Sequence, residues 1–276
     1  MKAVITAAGK HHSHLPLQTI ADEAGQPLSI LSHQLQALRD AGVDQVGIII
    51  NPKDLGLYED AISEYGDFVE CICQDRPQGY ANAILCAEAF VGNQNFLLSV
   101  ADHLFVGARG ENNCFRQLID ASHALNCSVS AVQATSESEI RRFGTVGGER
   151  VEGKSDLVRI AQVIEKPTPT LAEQKLFISG LRAGHYYAYF GIHVLTPGIF
   201  AHLREAVDSS EASNRVTLTD AVNRMLAEED FYALEVKGER FDLEAPFGLL
   251  HGQLAQALNG SAREQILADL LGLVAR

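Results

Sequence analysis

Lys2-Ala3-Val4-Ile5-Thr6-Ala7-Ala8-Gly9 decides the fold. A short apolar run over residues 2–7 that ends in small residues reads as a buried strand followed by a tight turn. Beyond it, Leu31, Leu35 and Leu38 recur at i, i+4 and i+7 and put one apolar face on a helix, which Gly42 ends. Further short runs rich in Val, Ile, Leu or Phe stand at residues 45–51, 68–73, 95–101 and 127–134, with helical spacing between them. Strand–helix–strand alternation implies right-handed crossovers, hence an α/β fold with a mostly parallel central sheet flanked by helices. Ligands of such sheets lie beyond the carboxyl ends of the strands, so the loop 8–16, the loop 74–79 and Asp102 are expected to converge.

After about residue 140 the rhythm changes. Strands are expected at Phe143–Val146, Leu157–Ile164, His185–Leu195 and 231–236, and helices at Thr170–Phe177, after Thr196-Pro197 and from Thr217 to Ala227, before two closing helices. No repeat or linker divides the chain, so residues 1–276 are read as one domain with halves at 1–140 and 141–276. The last helix carries Ile266, Leu267, Leu270, Leu271 and Val274 on one face, for packing on its own domain or for a subunit contact that would make a homo-oligomer.

A net charge of −13 and a pI near 5.2 argue against a nucleic-acid partner, which requires clustered Lys and Arg. Cys71, Cys73, Cys86, Cys114 and Cys127 form an odd set without a CxxC pair and read as reduced core thiols. The start lacks a charged region leading into an apolar one, and no apolar run is long enough to span a bilayer. The expected location is cytoplasmic, with no membrane partner.

Several residues stand where chemistry is done. The small Ala7-Ala8-Gly9 turn would let backbone N–H groups approach phosphate oxygens. In Gln74-Asp75-Arg76-Pro77-Gln78-Gly79 an amide can pair with a base edge while glycine lets the base lie close, a structural turn being the alternative. Asp102 follows the buried run Phe96–Ala101, where a carboxylate calls for a partner such as Mg²⁺ carrying substrate phosphates. Glu165-Lys166-Pro167 offers an acceptor for sugar hydroxyls beside an ammonium for a phosphate, and Asp242 could be a second metal carboxylate.

The ordered set resembles the sugar-1-phosphate nucleotidyltransferases, within them the UTP–glucose-1-phosphate uridylyltransferases, over nearly the whole chain. Ala7-Ala8-Gly9 and Pro16 fit the opening A-A-G-x-G-T-R-x-x-P; Gln74, Pro77 and Gly79 fit Q-x-x-P-x-G; Phe143-Gly144 fits Y/F-G. Glu165-Lys166-Pro167 fits E-K-P, Leu218-Thr219-Asp220-Ala221 fits L-T-D-A, and Asp242 with Gly248 is similar to the closing aspartate and glycine. The resemblance implies a Rossmann-like fold of the nucleotide-diphospho-sugar transferase type, with a small sugar-site β region and C-terminal helices. It further implies attack by a sugar 1-phosphate on the α-phosphorus of UTP, giving a nucleotide sugar and pyrophosphate. Asp102 and Asp242 would hold Mg²⁺, and Lys166 would bind the sugar phosphate. Glu165 and Gly144 would bind the sugar, and Ala7, Ala8, Gly9, Gln74, Pro77 and Gly79 the nucleotide.

The chain departs from the pattern at His11-His12-Ser13, where the family has G-T-R, and at Leu28, where a lysine is expected. Lys10, Arg76 and the histidines at 11, 12 and 14 are the candidate replacements, with Lys10 placed among the catalytic residues. A zinc site at those histidines lacks a matching Cys/His set. The departures leave an alternative, a family member that binds a nucleotide sugar or sugar phosphate without turnover.

Overall fold

The computed structural model describes residues 1–9, 14–76, 79–209 and 216–275. Its strands are β1 (Lys2–Thr6), β2 (Thr19–Ala21), β3 (Pro27–Ser29), β4 (Gln45–Ile50), β5 (Val69–Cys73), β6 (Phe96–Val100) and β7 (His103–Gly107). They continue with β8 (Ser128–Ser136), β9 (Gly144–Arg150), β10 (Leu157–Glu165), β11 (His185–Leu195), β12 (Phe231–Glu235) and β13 (Gly238–Asp242).

Nine strands form one sheet in the order β5-β4-β1-β6-β11-β8-β12-β10-β9. The alternation of side chains along β1 shows why it lies at the centre. Ala3 and Ile5 pack on one face with Ile48, Ile50 and Leu97, against the helices Ile30–Asp40 and Cys114–Leu125. Val4 packs on the other with Ile49 and Leu98, against the helices Tyr80–Cys86, Ile199–Asp208 and Leu218–Met225. Both faces are covered, so the strands read as continuous apolar runs. The first helix is capped by the Ser29 hydroxyl, which accepts from the Ser32 N–H at 2.9 Å. It ends at Gly42, whose φ of +82° suits a residue without a side chain.

The expectation of a mostly parallel sheet needs correction. β5, β4, β1 and β6 are parallel neighbours, and so are β8 and β12. The remaining pairings of this sheet, β11 with β6, β8 and β9, and β10 with β9 and β12, are antiparallel. One edge of β11 pairs with β8; the other pairs with β6 through Ile192–Leu195 and with β9 through Tyr187 and Ala188. β11, β8, β12, β10 and β9 thus close into a ring beside the parallel strands. A long antiparallel strand shared by two neighbours leaves the same apolar run in the sequence as a parallel one. Two small sheets, β2 with β3 and β7 with β13, lie outside the expected set.

The last helix, Arg263–Val274, buries none of its residues, and Leu271 and Val274 are 70% and 85% exposed. Ile266 and Leu270 are half-buried and the helix packs on the preceding one, Gly248–Asn259, so its apolar face is used only in part on its own domain. Among the described residues no helix is long and apolar enough to cross a membrane. All five cysteines are free, and Cys114 alone of them is fully buried.

Candidate active site

Backbone hydrogen bonds carry three strand ends to one edge. Ala7 N–H donates to Ile49 O at 2.7 Å, Gln74 N–H to Ile50 O at 2.9 Å, and Ala101 N–H to Thr6 O at 3.1 Å. The structure therefore brings Ala7, Ala8, Gly9, Gln74 and Asp102 to the same end of the parallel strands, as expected. Lys10, Pro77 and the histidines at 11 and 12 lie outside the described residues, as does Ser13.

Gln74 is 4% exposed, and its Nε2 donates to Gly79 O at 3.2 Å and to Asn82 Oδ1 at 3.0 Å. Its amide thus ties the loop to the helix behind it. Gly79 sits at φ +110°, a conformation that favours glycine.

Beyond this edge opens a cavity of about 380 Å³. Gly79, Tyr80, Gly144, Glu165, Lys166 and Thr219 are part of its wall. Register explains the meeting: β9 and β10 pair so that Glu165 lies opposite Gly144, and Lys166 N–H then donates to Phe143 O at 3.1 Å. Lys166 turns into the left-handed region at φ +48°, which ends the strand at the cavity. A Cβ on Gly144 would stand 2.7 Å from the Tyr189 ring and 3.2 Å from Glu165 Oε2, so only glycine lets these two side chains close the floor. Thr219 donates to Glu165 Oε2 at 2.9 Å. It belongs to the helix Leu218–Met225, whose capping box joins Thr217 and Asp220, so the L-T-D-A aspartate serves the helix end.

Tyr189, Gly191 and His193 alternate along β11 and so share the face that lines the cavity, across an irregularity in the β11–β8 pairing at which Gly191 takes φ +96°. His193 Nδ1 is 2.6 Å from Ser130 Oγ, and burial pulls its pKa down to about 3. Burial pushes the Tyr80 phenol up, and the charges of Asp102 and Glu165 add to the shift.

The two aspartates arise on adjacent backbones. Asp242 lies opposite His103 in the β7–β13 pair, and Leu243 N–H donates to Asp102 O at 2.9 Å. Asp102 Oδ1 is 2.7 Å from His103 Nδ1. Asp242 Oδ2 accepts from Arg142, and Asp242 Oδ1 accepts from Glu244 N–H at 2.9 Å. Asp102, just before β7, and Asp242, at the end of β13, form a carboxylate pair of the kind that fits Mg²⁺, which takes one or two carboxylates and completes its shell with water and substrate phosphate. Among the described residues no group of three or more His, Cys, Asp or Glu could enclose a metal by itself.

A second cavity of about 360 Å³ adjoins the first and shares Arg142 and Phe143 with it. Arg240 lines this one, its guanidinium 3.8 Å from the Phe143 ring centroid. Burial lowers its pKa to about 10. Sequence reasoning passed over Arg142, Arg240, Tyr80, Tyr189 and His193. Of these, Arg142 and Tyr80 directly adjoin the motif residues Phe143 and Gly79, the one signal that could have found them. Leu28 joins the apolar cluster of Ile20, Ile30, Leu104, Val106 and Leu243, so where a lysine is expected the chain has a packing contact.

The comparisons agree with this layout. A UTP–glucose-1-phosphate uridylyltransferase of Mycoplasma genitalium is 26% identical over 301 residues, covering 99% of this chain and 97% of that protein. One of Staphylococcus epidermidis is 30% identical over 194 residues, covering 70% of this chain and 61% of that protein. A crystal structure of UDP-glucose pyrophosphorylase complexed with UDP-glucose superposes with a TM-score of 0.72 at 22% identity, covering 92% of this chain and 97% of that one. A UTP-bound enzyme of the same kind from Acinetobacter baumannii gives 0.73 at 18%, covering 98% of each. These likenesses support the fold, and the nucleotidyl transferase family itself matches residues 19–242. The chain belongs to the nucleotidyl transferase family.

Proposed function

We propose that the protein joins UTP and glucose 1-phosphate into UDP-glucose and pyrophosphate. The observation that carries this reading is the cavity in which Gly144, Glu165 and Lys166 face the Gly79–Tyr80 turn, beside the Asp102–His103 turn. The named relatives support the choice of uracil and glucose. Residues 1–140 would hold the nucleotide and residues 141–276 the sugar phosphate. Five free cysteines support a reducing compartment such as the cytoplasm.

The reaction is an in-line displacement: a phosphate oxygen of the sugar 1-phosphate bonds to the α-phosphorus, and the bond to the bridging oxygen breaks. Pyrophosphate leaves with the electron pair. No covalent nucleophile from the protein is needed, so positioning and charge carry the rate. Glu165, held by Thr219, accepts from sugar hydroxyls, Gly144 leaves room for the ring, and Lys166 neutralises the attacking phosphate. Ala8 and Gly9 present backbone N–H groups to the nucleotide phosphates, the Ala7 N–H being taken by Ile49 O, and Gln74 and Gly79 shape the base pocket; Lys10 and Pro77 keep the roles that the resemblance implies. Mg²⁺, when bound at Asp102 and Asp242, supplies neutralising charge to the phosphates.

Pyrophosphate release from UTP with glucose 1-phosphate and Mg²⁺ tests the reading directly. Wild type should turn over, and Asp102→Asn should lose at least about 100-fold of the rate while keeping its circular dichroism spectrum. Absence of turnover with UTP and every other nucleoside triphosphate would overturn it.

A further inference from the structure

Asp242 is one of the two carboxylates assigned to Mg²⁺, yet one of its oxygens is already paired with a cation from this chain. Arg142 forms an ion pair with Asp242 Oδ2. The other oxygen, Oδ1, accepts from Glu244 N–H at 2.9 Å, so both oxygens have a partner within this chain and a metal ion must share the carboxylate with the guanidinium or displace it. The Arg142 side chain is 39% exposed, against 15% for Asp242, and it lines both cavities. It is a long side chain at the boundary of two open spaces, with room on either side. Arg142 and Lys166 are also the only Lys or Arg among the described residues lining the larger cavity. Where the family has a lysine, Leu28 is packed in an apolar cluster and carries no charge to the site.

We propose that Arg142 and a divalent cation are alternative occupants of the Asp242 carboxylate, and that the displaced guanidinium then binds ligand phosphate in the cavity it lines. This rests on the reading of Asp102 and Asp242 as metal carboxylates. Arg142 acts as a placeholder: it keeps the carboxylate neutralised before the metal arrives, and becomes a phosphate-binding residue afterwards. Metal and phosphate ligand are thereby coupled, since each favours the state in which the ion pair is open.

The coupling predicts effects of opposite sign from one substitution, which general damage to the fold does not produce. Calorimetry is run on the full chain with Mn²⁺ alone, and then with UDP-glucose in saturating Mn²⁺, for wild type, Arg142→Gln, Arg142→Lys and Asp242→Asn. Removing the competing charge in Arg142→Gln should tighten Mn²⁺ binding roughly fivefold and weaken UDP-glucose binding by a comparable factor. Arg142→Lys, which keeps a cation, should fall back toward wild type on both axes. Unchanged or weaker Mn²⁺ binding in Arg142→Gln overturns the exchange, provided Asp242→Asn has lost Mn²⁺; tighter Mn²⁺ binding with unchanged UDP-glucose binding overturns the second role of the guanidinium. If Asp242→Asn binds Mn²⁺ as wild type does, the metal reading itself is wrong and the exchange falls with it.

Discussion

At the scale of single residues, the cavity floor depends on one missing side chain and one missing proton. Gly144 is the missing side chain: Gly144→Ala forces the Tyr189 ring or the Glu165 carboxylate to move. We expect a stability loss of about 1–3 kcal/mol by chemical denaturation, together with weakened glucose 1-phosphate binding by calorimetry. Wild-type affinity in the alanine variant would show that the floor has slack. His193 is the missing proton, held neutral by burial with its pKa pulled down from 6.5 to about 3. Between these values the unfolded chain binds a proton that the folded chain refuses, so stability falls as pH falls through this window and is unaffected above it. At pH about 5 the loss amounts to about 2 kcal/mol from this residue alone. His193→Asn should therefore flatten the fall in Tm between pH about 7.5 and about 5, read by thermal melts, whereas parallel curves for the two proteins would remove His193 as the cause. Gly144 was legible from its motif, but the ring it spares and the buried histidine were not. Asp102, Glu165 and Lys166 announced themselves by following apolar strands, but Tyr189 and His193 sit inside one, where a polar residue looks like ordinary core.

At the scale of elements, legibility followed contact distance. The helix over Ile30–Asp40 and the strands that precede Ala7, Gln74 and Asp102 were visible because each is specified by its own period and its own cap. The β7–β13 pair was invisible: Gly238-Glu239-Arg240-Phe241-Asp242 has little apolar content, and its partner lies more than a hundred residues earlier. Yet that pair sets Asp242 beside Asp102, so the site's second carboxylate was found by motif and its neighbour only by structure. The closing helix Arg263–Val274 presents the reverse case, a legible apolar face without a buried residue. Removing residues 261–276 should accordingly shift Tm by less than about 2 °C, because little apolar surface leaves the folded core. A larger drop in a thermal melt would mean that this helix is covered in solution, and sedimentation of the intact chain would then show whether a second copy covers it.

At the scale of the whole molecule, the two halves of the chain are joined by shared strand pairings as well as by a packed core. β11 is hydrogen-bonded to β6 by residues 192–195 and to β9 by residues 187–188, and the same strand supplies Tyr189, Gly191 and His193 to the cavity. The apolar character of 185–195 was plain in the sequence, but its sharing between a parallel sheet and a closed ring was not, because hydrophobicity does not encode which edge a strand offers to which neighbour. The arrangement has a consequence during synthesis. β6 leaves the ribosome with its partner β1 already made, while the other edge of β6 waits for Ile192–Leu195, about ninety residues later. At translation speeds of about 5–20 residues per second, that row of backbone N–H and C=O groups stays open for roughly 5–20 seconds in every nascent chain. For that interval the half-made protein offers an open strand edge to which another strand can add.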